Sequence, residues 1–151
     1  MLSKEEYQGL FPYHHVSYTY ENFIQAAKTF PLFADEGNLP GRKRELIAFL
    51  ANIAHETANS SKDGTYAWGL YNIEEQACKD GHCTLYNLVG MSNFHPVPGK
   101  SYHGRGPIQL SYTYNYGLAG MELRLPLLEH PELVSEDAVI GFKTAIWFWM
   151  R

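Results

Sequence analysis

The 151-residue sequence contains few charged residues, no long apolar run and only two cysteines. Its lysines and arginines are scattered and the net charge is −4, so nucleic acid is not an expected partner. The apolar runs are too short and too often interrupted to cross a membrane, which argues against a membrane partner. Residues 1–6 lack the apolar core of a signal peptide, so either the protein stays inside the cell or an export signal has already been removed.

The two cysteines, Cys78 and Cys83, are close together in a loop-like run of sequence. One short disulfide is plausible if the compartment is oxidising. A metal site would have to use His82 and His95 as well, and their spacing fits no standard zinc pattern. We therefore expect a disulfide or free thiols, and no metal or other cofactor.

Aromatic residues are abundant, with eleven tyrosines, and several tyrosines lie in the glycine-rich segment 100–117. Glycine allows a tight turn or a close approach to a ligand. Gln109, Ser111 and Asn115 offer hydrogen bonds, and tyrosines offer flat faces with polar tips. Two interpretations remain open: a groove for a polyhydroxylated ligand, or a tyrosine-rich turn in the core.

Apolar periodicity predicts three main helices after an irregular region over residues 1–18. Thr19 caps the first, which runs to Phe30 and is stopped by Pro31. The second covers about 42–59. The third is capped by Ser135 and is apolar on nearly all sides. The predicted buried stripe of the second helix consists of Leu46, Ile47, Leu50, Ile53 and Ala54. Ser111 is predicted to cap a short helix after the glycine-rich segment.

Glu56 lies in the last turn of the second predicted helix, near the negative end of the helix dipole. A carboxylate is disfavoured there, so its proton is held more firmly, which is a reason to expect a general acid. The alternative is an ordinary exposed glutamate at a helix end. A zinc-protease motif is excluded, because Asn59 stands where the second histidine of H-E-x-x-H would be.

Residues 60–103 read mostly as loop, which in a compact domain is usually functional or disordered, and the aromatic residues argue against disorder. The third helix contains Lys143. A lysine on an apolar helix needs a partner, a place at the mouth of a groove, or a route to solvent along its own chain.

Several long blocks of sequence together match one known pattern. They are S-Y-T-Y-E-N-F-I-Q-A-A (17–27) with Phe30-Pro31, A-F-L-A-N-I-A-H-E-T (48–57), D-G-T-Y-A-W-G (63–69) with Glu75, Y-H-G-R-G-P-I-Q-L-S (102–111), Y-N-Y-G (114–117) and F-K-T-A-I-W-F-W-M (142–150). With these blocks the sequence resembles the family 19 glycoside hydrolases, the plant-type chitinases.

The resemblance implies one catalytic domain over residues 1–151, with an α+β, mainly α-helical, lysozyme-like bilobal fold and a substrate cleft. It implies inverting, endo-acting hydrolysis of β-1,4-linked N-acetylglucosamine in chitin, by a secreted monomer that binds chitin or its oligosaccharides. Glu56 would be the general acid, Glu75 the general base, and Ser111 a holder of the attacking water. The expected sugar contacts are His55, Tyr66, Trp68, Gln109, Tyr114, Asn115 and Lys143.

The sequence departs from the family pattern in ways that bear on activity. Ala58-Asn59-Ser60 follows H-E-T, and the family's domain normally continues beyond the last matched block, so a C-terminal part is expected to be missing. Cys83 fits a family cysteine, and Cys78 is a substitute for its usual partner. Glu74 competes with Glu75 as the base, although counting from Trp68 favours Glu75.

Two other functions compete with a chitinase. A peptidoglycan-cleaving lysin on the same scaffold would act on a polymer that also contains β-1,4-linked N-acetylglucosamine. A catalytically impaired chitin-binding homologue would keep the fold alone, and retention of both Glu56 and Glu75 argues against it. The sequon Asn59-Ser60-Ser61 is expected to be unused, because a glycan beside Glu56 would block a cleft.

Overall fold

The computed structural model describes residues 2–59, 68–78, 83–90 and 92–151. Within them the fold is mainly helical, as expected, and the β component is limited to isolated bridges that join Arg105 to Glu74 and to Leu110. The α-helices are α1 (Lys4–Leu10), α2 (Tyr20–Ala27), α3 (Leu39–Thr57), α4 (Thr113–Leu123), α5 (Leu133–Glu136) and α6 (Ala138–Trp149), with 3₁₀ helices at Gln76–Cys78 and Thr84–Tyr86.

Helix α1 lies in a region that the sequence analysis predicted to be irregular, and that prediction is wrong. The Glu6 N–H donates to Ser3 Oγ at 3.1 Å, and the Ser3 N–H donates to Glu6 Oε2 at 2.7 Å. This reciprocal capping box satisfies two backbone donors that a helix start leaves open. Tyr7 buries its ring in the core and thereby fixes this short helix to the rest of the protein.

Helix α2 begins after Thr19, whose hydroxyl accepts from the Asn22 N–H, so the predicted cap is confirmed. The helix ends at Ala27, three residues before the predicted end. Helix α3 begins earlier than predicted because Asn38 caps it and proline is tolerated in the first turn.

The buried stripe of α3 differs from the prediction at one position. Ile47 is 64% exposed, whereas Phe49 is fully buried. Leu46, Phe49, Leu50 and Ile53 follow the i, i+3, i+4, i+7 spacing of one helix face, and Ile47 lies to the side of it.

Helix α6 is capped by Asp137, so the prediction that Ser135 caps it is wrong. The Asp137 carboxylate accepts from the N–H groups of Val139 and Ile140 at 2.9 and 3.0 Å. Ser135 belongs to the short helix α5, because the chain becomes extended only at Asp137 (φ −108°, ψ 106°).

Helix α6 joins two clusters of buried side chains and packs against α2, α4 and α5. The first cluster combines α1, α2, α3 and the α6 residues Phe142, Ala145 and Ile146. The second cluster combines the glycine-rich segment and α4 with Trp147 of α6; its buried members are Tyr102, Leu110, Tyr116, Ala119, Leu127, Val134 and Trp147. Burial on nearly all sides of α6, expected from its sequence, therefore reflects its place between the two clusters.

The glycine-rich segment reaches α6 through a close backbone contact. Gly106 has φ +76°, and a Cβ at this position would lie 2.9 Å from Val134 Cγ1 and 3.5 Å from the Gly141 Cα. Only glycine combines that dihedral angle with that space. This contact fixes residues 104–111 relative to α6.

Candidate active site

The C-terminal end of α3, which carries Glu56, is held by Thr57. Thr57 is fully buried, and its hydroxyl accepts from the Leu70 N–H at 2.6 Å while donating to the Ile53 carbonyl. Glu56 itself is exposed, and its carboxylate makes no hydrogen bond or ion pair with any residue in the described part of the chain. The helix end is therefore fixed while its carboxyl group is open to a ligand.

Residues 70–75 connect this helix end to the glycine-rich segment. The Asn72 N–H donates to the Thr57 carbonyl at 2.9 Å, and the Glu75 N–H donates to the Gly104 carbonyl at 2.8 Å. The three residue steps from Asn72 to Glu75 span at most about 11 Å. We call this hydrogen-bonded set, residues 56–57, 70–75 and 104–111, the carboxylate frame.

Ser111 lies on the same frame, beside Gly104. A Cβ on Gly104 would meet Gln109 Oε1 at 2.9 Å and Ser111 Oγ at 3.3 Å, so both side chains lie directly over the glycine. The Ser111 hydroxyl donates to the Gln109 carbonyl at 2.8 Å. The prediction that Ser111 caps the following helix is wrong: the residue before α4 is Tyr112, which makes no capping bond.

Two residues near Ser111 have strained backbone conformations. Gln109 has φ +51° and Tyr112 has φ +75° with ψ 139°, and neither is glycine. Such conformations cost of order 1–3 kcal/mol each and persist only where the surrounding structure imposes them. They are common at ligand-binding and catalytic positions, and here they turn the Ser111 side chain towards Gly104.

Glu74 faces inward, towards buried cationic and polar groups. Its Oε2 lies 3.1 Å from His103 Nε2 and 3.7 Å from Arg105 Nε, and the His103 and Arg105 side chains are 1% and 8% exposed. Burial lowers the pKa of His103; the hydrogen bond to Glu74 offsets only part of this effect. Arg105 also donates to the Ser101 carbonyl and the Tyr116 hydroxyl. Glu74 is thus part of a buried polar network.

Glu75 faces the opposite way and is half-buried. Its Oε1 accepts a 3.0 Å hydrogen bond from the Tyr86 hydroxyl, and no other described residue donates to its side chain. This hydrogen bond is the main cause that raises the pKa of Tyr86, and burial is the second, so the phenol stays protonated. The sequence analysis missed Tyr86, because it is eleven residues from Glu75 and belongs to no motif.

The other predicted site residues have different surroundings. His55 is exposed. The side chains of Gln109 and Asn115 donate hydrogen bonds to the carbonyls of Gly106 and Ser111, respectively. The Tyr114 ring stacks on Tyr112 with centroids 5.8 Å apart. Trp68 is stacked on Tyr13, with centroids 4.2 Å apart. Lys143 is half-buried and makes no hydrogen bond or ion pair with the described residues. Tyr66 lies outside the described residues.

The tyrosines of the glycine-rich segment fall into two groups, one buried in the core and one partly exposed. Tyr102 and Tyr116 are fully buried core residues whose hydroxyls donate to the carbonyls of Leu128 and His103. Tyr112 and Tyr114 are half-buried and stacked on each other. The segment is therefore a core turn on one side and a partly exposed aromatic surface on the other.

Cys78 and Cys83 form the disulfide that the sequence analysis considered plausible. Among residues 2–59, 68–78, 83–90 and 92–151, no three His, Cys, Asp or Glu side chains gather closely enough to hold a metal ion. None of the helices in this part of the chain has the length and apolar character needed to cross a bilayer.

Most glycoside hydrolases use a pair of Asp or Glu residues that flank the bond to be cleaved, and here Glu56 and Glu75 lie on one hydrogen-bonded frame. Comparison with known families makes this specific: the profile described as chitinase class I, of glycoside hydrolase family 19, matches residues 12–151. The chain belongs to this family.

Individual relatives agree with that assignment. The chain is 53% identical to the acidic endochitinase WIN6 of Populus trichocarpa over 137 residues, which cover 89% of this chain and 38% of the relative. It is 48% identical to the endochitinase of Carica papaya over 136 residues, which cover 88% of this chain and 54% of the relative. The chain thus spans between about two fifths and about half of these relatives.

Solved structures give the same result for the fold. Chitinase C from Streptomyces griseus superposes with a TM-score of 0.83 at 36% identity, covering 98% of this chain and 54% of that one. The class IV chitinase from Zea mays gives a TM-score of 0.80 at 32% identity, covering 98% of this chain and 69% of that one.

Proposed function

We propose that this protein hydrolyses the β-1,4 linkages between N-acetylglucosamine units of chitin, within the chain and with inversion at the anomeric carbon. The observation that carries the proposal is the carboxylate frame: backbone hydrogen bonds tie the end of α3 to Asn72, and Glu75 to Gly104. Family membership and the names of the relatives, which are endochitinases, support the choice of chitin.

Glu56 is the proposed general acid. An inverting enzyme needs a carboxyl group that gives its proton to the leaving oxygen, and this group must reach the sugar. Glu56 is exposed at a fixed helix end and has no competing partner among the described residues. The family resemblance assigns the same role to this position.

Glu75 is the proposed general base, in preference to Glu74. The Glu74 carboxylate is engaged by His103 and Arg105, whereas the Glu75 carboxylate accepts only from Tyr86 among the described residues. A base must have a free acceptor oxygen for the water it activates. In inverting enzymes the two carboxyl groups stand about 6.5–9.5 Å apart, which leaves room for this water. The short path from Thr57 to Glu75 is compatible with such a distance between the Glu56 and Glu75 carboxyl groups.

Ser111 is proposed to hold the attacking water with Glu75. Its hydroxyl lies over Gly104, whose carbonyl accepts from the Glu75 N–H. A hydroxyl and a carboxylate together fix the orientation of a water that either group alone would leave free to rotate. The Ser111 hydroxyl proton is used in its bond to the Gln109 carbonyl. Ser111 would therefore either accept a hydrogen bond from the water or give up the bond to Gln109 and donate to the water.

The remaining sugar contacts are proposed on the family resemblance. They are His55, Tyr66, Trp68, Gln109, Tyr114, Asn115 and Lys143. The two buried clusters on either side of α6 support a single domain with two lobes and a cleft between them. The disulfide favours an oxidising compartment, so we propose a secreted monomer.

The test compares two substrates with the purified protein. Chitin oligosaccharides are expected to be cleaved, with products resolved by chromatography, while the turbidity of a bacterial cell-wall suspension stays constant. Clearing of the walls without cleavage of chitin oligosaccharides would favour a peptidoglycan-cleaving lysin. Binding of chitin oligosaccharides without cleavage of either substrate would make the protein a sugar-binding homologue.

A further inference from the structure

We propose that Tyr86 is a positioning residue for the base Glu75, and that its phenol fixes one carboxylate oxygen so that the other faces the attacking water. This inference rests on the proposed function of Glu75. The observation behind it is the 3.0 Å hydrogen bond from the Tyr86 hydroxyl to Glu75 Oε1.

Tyr86 can act in this way because its backbone is fixed independently of Glu75. The Tyr86 carbonyl accepts from the hydroxyl of the fully buried Thr113 at 3.3 Å. The next residue, Asn87, donates to the Lys100 carbonyl at 2.7 Å and accepts from the Tyr102 N–H at 3.3 Å. These bonds attach the 3₁₀ helix Thr84–Tyr86 to α4 and to the start of the glycine-rich segment.

The disulfide supports the same 3₁₀ helix from its other end. Cys83 immediately precedes Thr84 and is linked to Cys78, and the Cys83 carbonyl accepts from the buried Ser101 hydroxyl at 2.6 Å. Glu75 lies just before the 3₁₀ helix that ends at Cys78. The cross-link therefore joins the segment that carries the base to the segment that carries its donor.

The geometry leaves Glu75 able to act as a base. An ionised carboxylate has about four acceptor positions on two oxygens. Tyr86 occupies one position on Oε1, and no other described residue donates to either oxygen. A fixed phenol restricts rotation of the carboxylate, so Oε2 is available and oriented.

The Tyr86 ring also connects the base to the water-holding serine. Its ring packs edge-on against Tyr112 with centroids 5.2 Å apart. Tyr112 has the strained positive φ and directly follows Ser111. One aromatic side chain thus contacts both Glu75 and the segment that places Ser111, so a change at Tyr86 affects the orientation of the water through both partners.

The kinetic test is Tyr86→Phe, which keeps the ring contact with Tyr112 and removes only the hydroxyl. We expect kcat to fall by about tenfold or more with KM changed less than about twofold.

Tyr20→Phe is the matched control. The Tyr20 hydroxyl donates to the Leu2 carbonyl at the same distance, 3.0 Å, in another part of the fold. The kcat and KM of Tyr20→Phe should equal those of the parent. A Tyr86→Phe protein with the parent's kcat would overturn the inference, and a rise in KM alone would make Tyr86 a substrate contact instead.

A titration without substrate separates this inference from the proposed function. With tyrosine labelled at ¹³Cζ, the Tyr86 signal should titrate at higher pH in the parent than in Glu75→Gln, because the carboxylate opposes ionisation of the phenol. Equal titration in the two proteins would overturn the Tyr86–Glu75 pair, whether or not chitin is hydrolysed. An inactive parent with the expected titration would contradict the hydrolase proposal and leave the pair intact.

Discussion

At the scale of single residues, two neighbouring glutamates have opposite surroundings. Glu74 faces the buried His103 and Arg105, whereas Glu75 faces the half-buried Tyr86. Alternation along an extended segment explains the division, because successive side chains point to opposite sides. The sequence could indicate that one of the pair is the base, but only the contacts distinguish a structural carboxylate from an available one.

The isosteric substitutions Glu74→Gln and Glu75→Gln allow the two neighbouring glutamates to be compared directly. Glu74→Gln should lower the free energy of unfolding by about 1–3 kcal/mol, because it removes a charged partner from a buried network, and should reduce kcat only modestly. Glu75→Gln should reduce kcat by at least about a hundredfold with stability nearly unchanged. Urea unfolding and chitin oligosaccharide hydrolysis measure both effects, and the reverse pattern would make Glu74 the base.

Glu56→Gln tests the proposed acid. Glutamine keeps the shape of the side chain but cannot deliver a proton. Hydrolysis should fall below a few per cent of the parent, while oligosaccharide binding, measured by calorimetry, and thermal unfolding remain close to those of the parent. Substantial residual hydrolysis would remove Glu56 from the role of acid.

His103 makes stability depend on pH. Its pKa is lowered in the folded state, chiefly by burial, so folding favours the neutral ring. The stabilisation of the folded state by the neutral His103 ring is fully present above the ordinary histidine pKa of 6.5. It is lost as the pH falls from 6.5 towards the lower pKa that His103 has in the folded protein. Between pH 7 and 5 the parent should therefore lose more unfolding free energy than His103→Gln, and parallel curves would contradict this sign.

At the scale of elements, capping signals predicted the start of α2 but not the start of α6. Thr19 caps α2, as predicted. Ser135 and Asp137 are both good N-cap residues, and the choice between them depends on α5, whose Val134 packs against Gly106. The capping box at Ser3 was present in the sequence but was overlooked in a short segment.

The frame itself could not be predicted, because its bonds join residues far apart in sequence. The local signals in the sequence place Glu56 on a helix and Glu75 in a loop, but the bond between Thr57 and Asn72 depends on the fold. The same holds for Tyr86, whose partner is identified only by contact.

Thr57→Val tests whether the end of α3 depends on its attachment to residues 70–72. The substitution leaves the fully buried Leu70 N–H without its 2.6 Å acceptor. We expect a loss of about 1–3 kcal/mol in unfolding free energy, together with a lower kcat because the frame loosens. Thr29→Val is the control, since Thr29 is exposed and bonds only within its own turn. Equal effects of the two substitutions would contradict the special role of Thr57.

At the scale of the whole molecule, α6 lies between two buried clusters and the frame connects α3 to the glycine-rich segment that packs on α6. The long matched blocks in the sequence indicated the family, and the family profile confirms it over residues 12–151. We propose that Glu56 and Glu75 act on opposite sides of the bond being cleaved, as acid and base.

Early-time proton NMR of chitin oligosaccharide hydrolysis distinguishes a general base at Glu75 from a nucleophile. A base that activates water on the face opposite the leaving group produces the α-anomer first from a β-linked substrate. A nucleophilic Glu75 would instead stand only about 5–5.5 Å from Glu56 and would retain the β configuration. We predict that the α-anomer appears first, before mutarotation; a β-anomer appearing first would contradict the inverting mechanism and the roles proposed for Glu75 and Ser111.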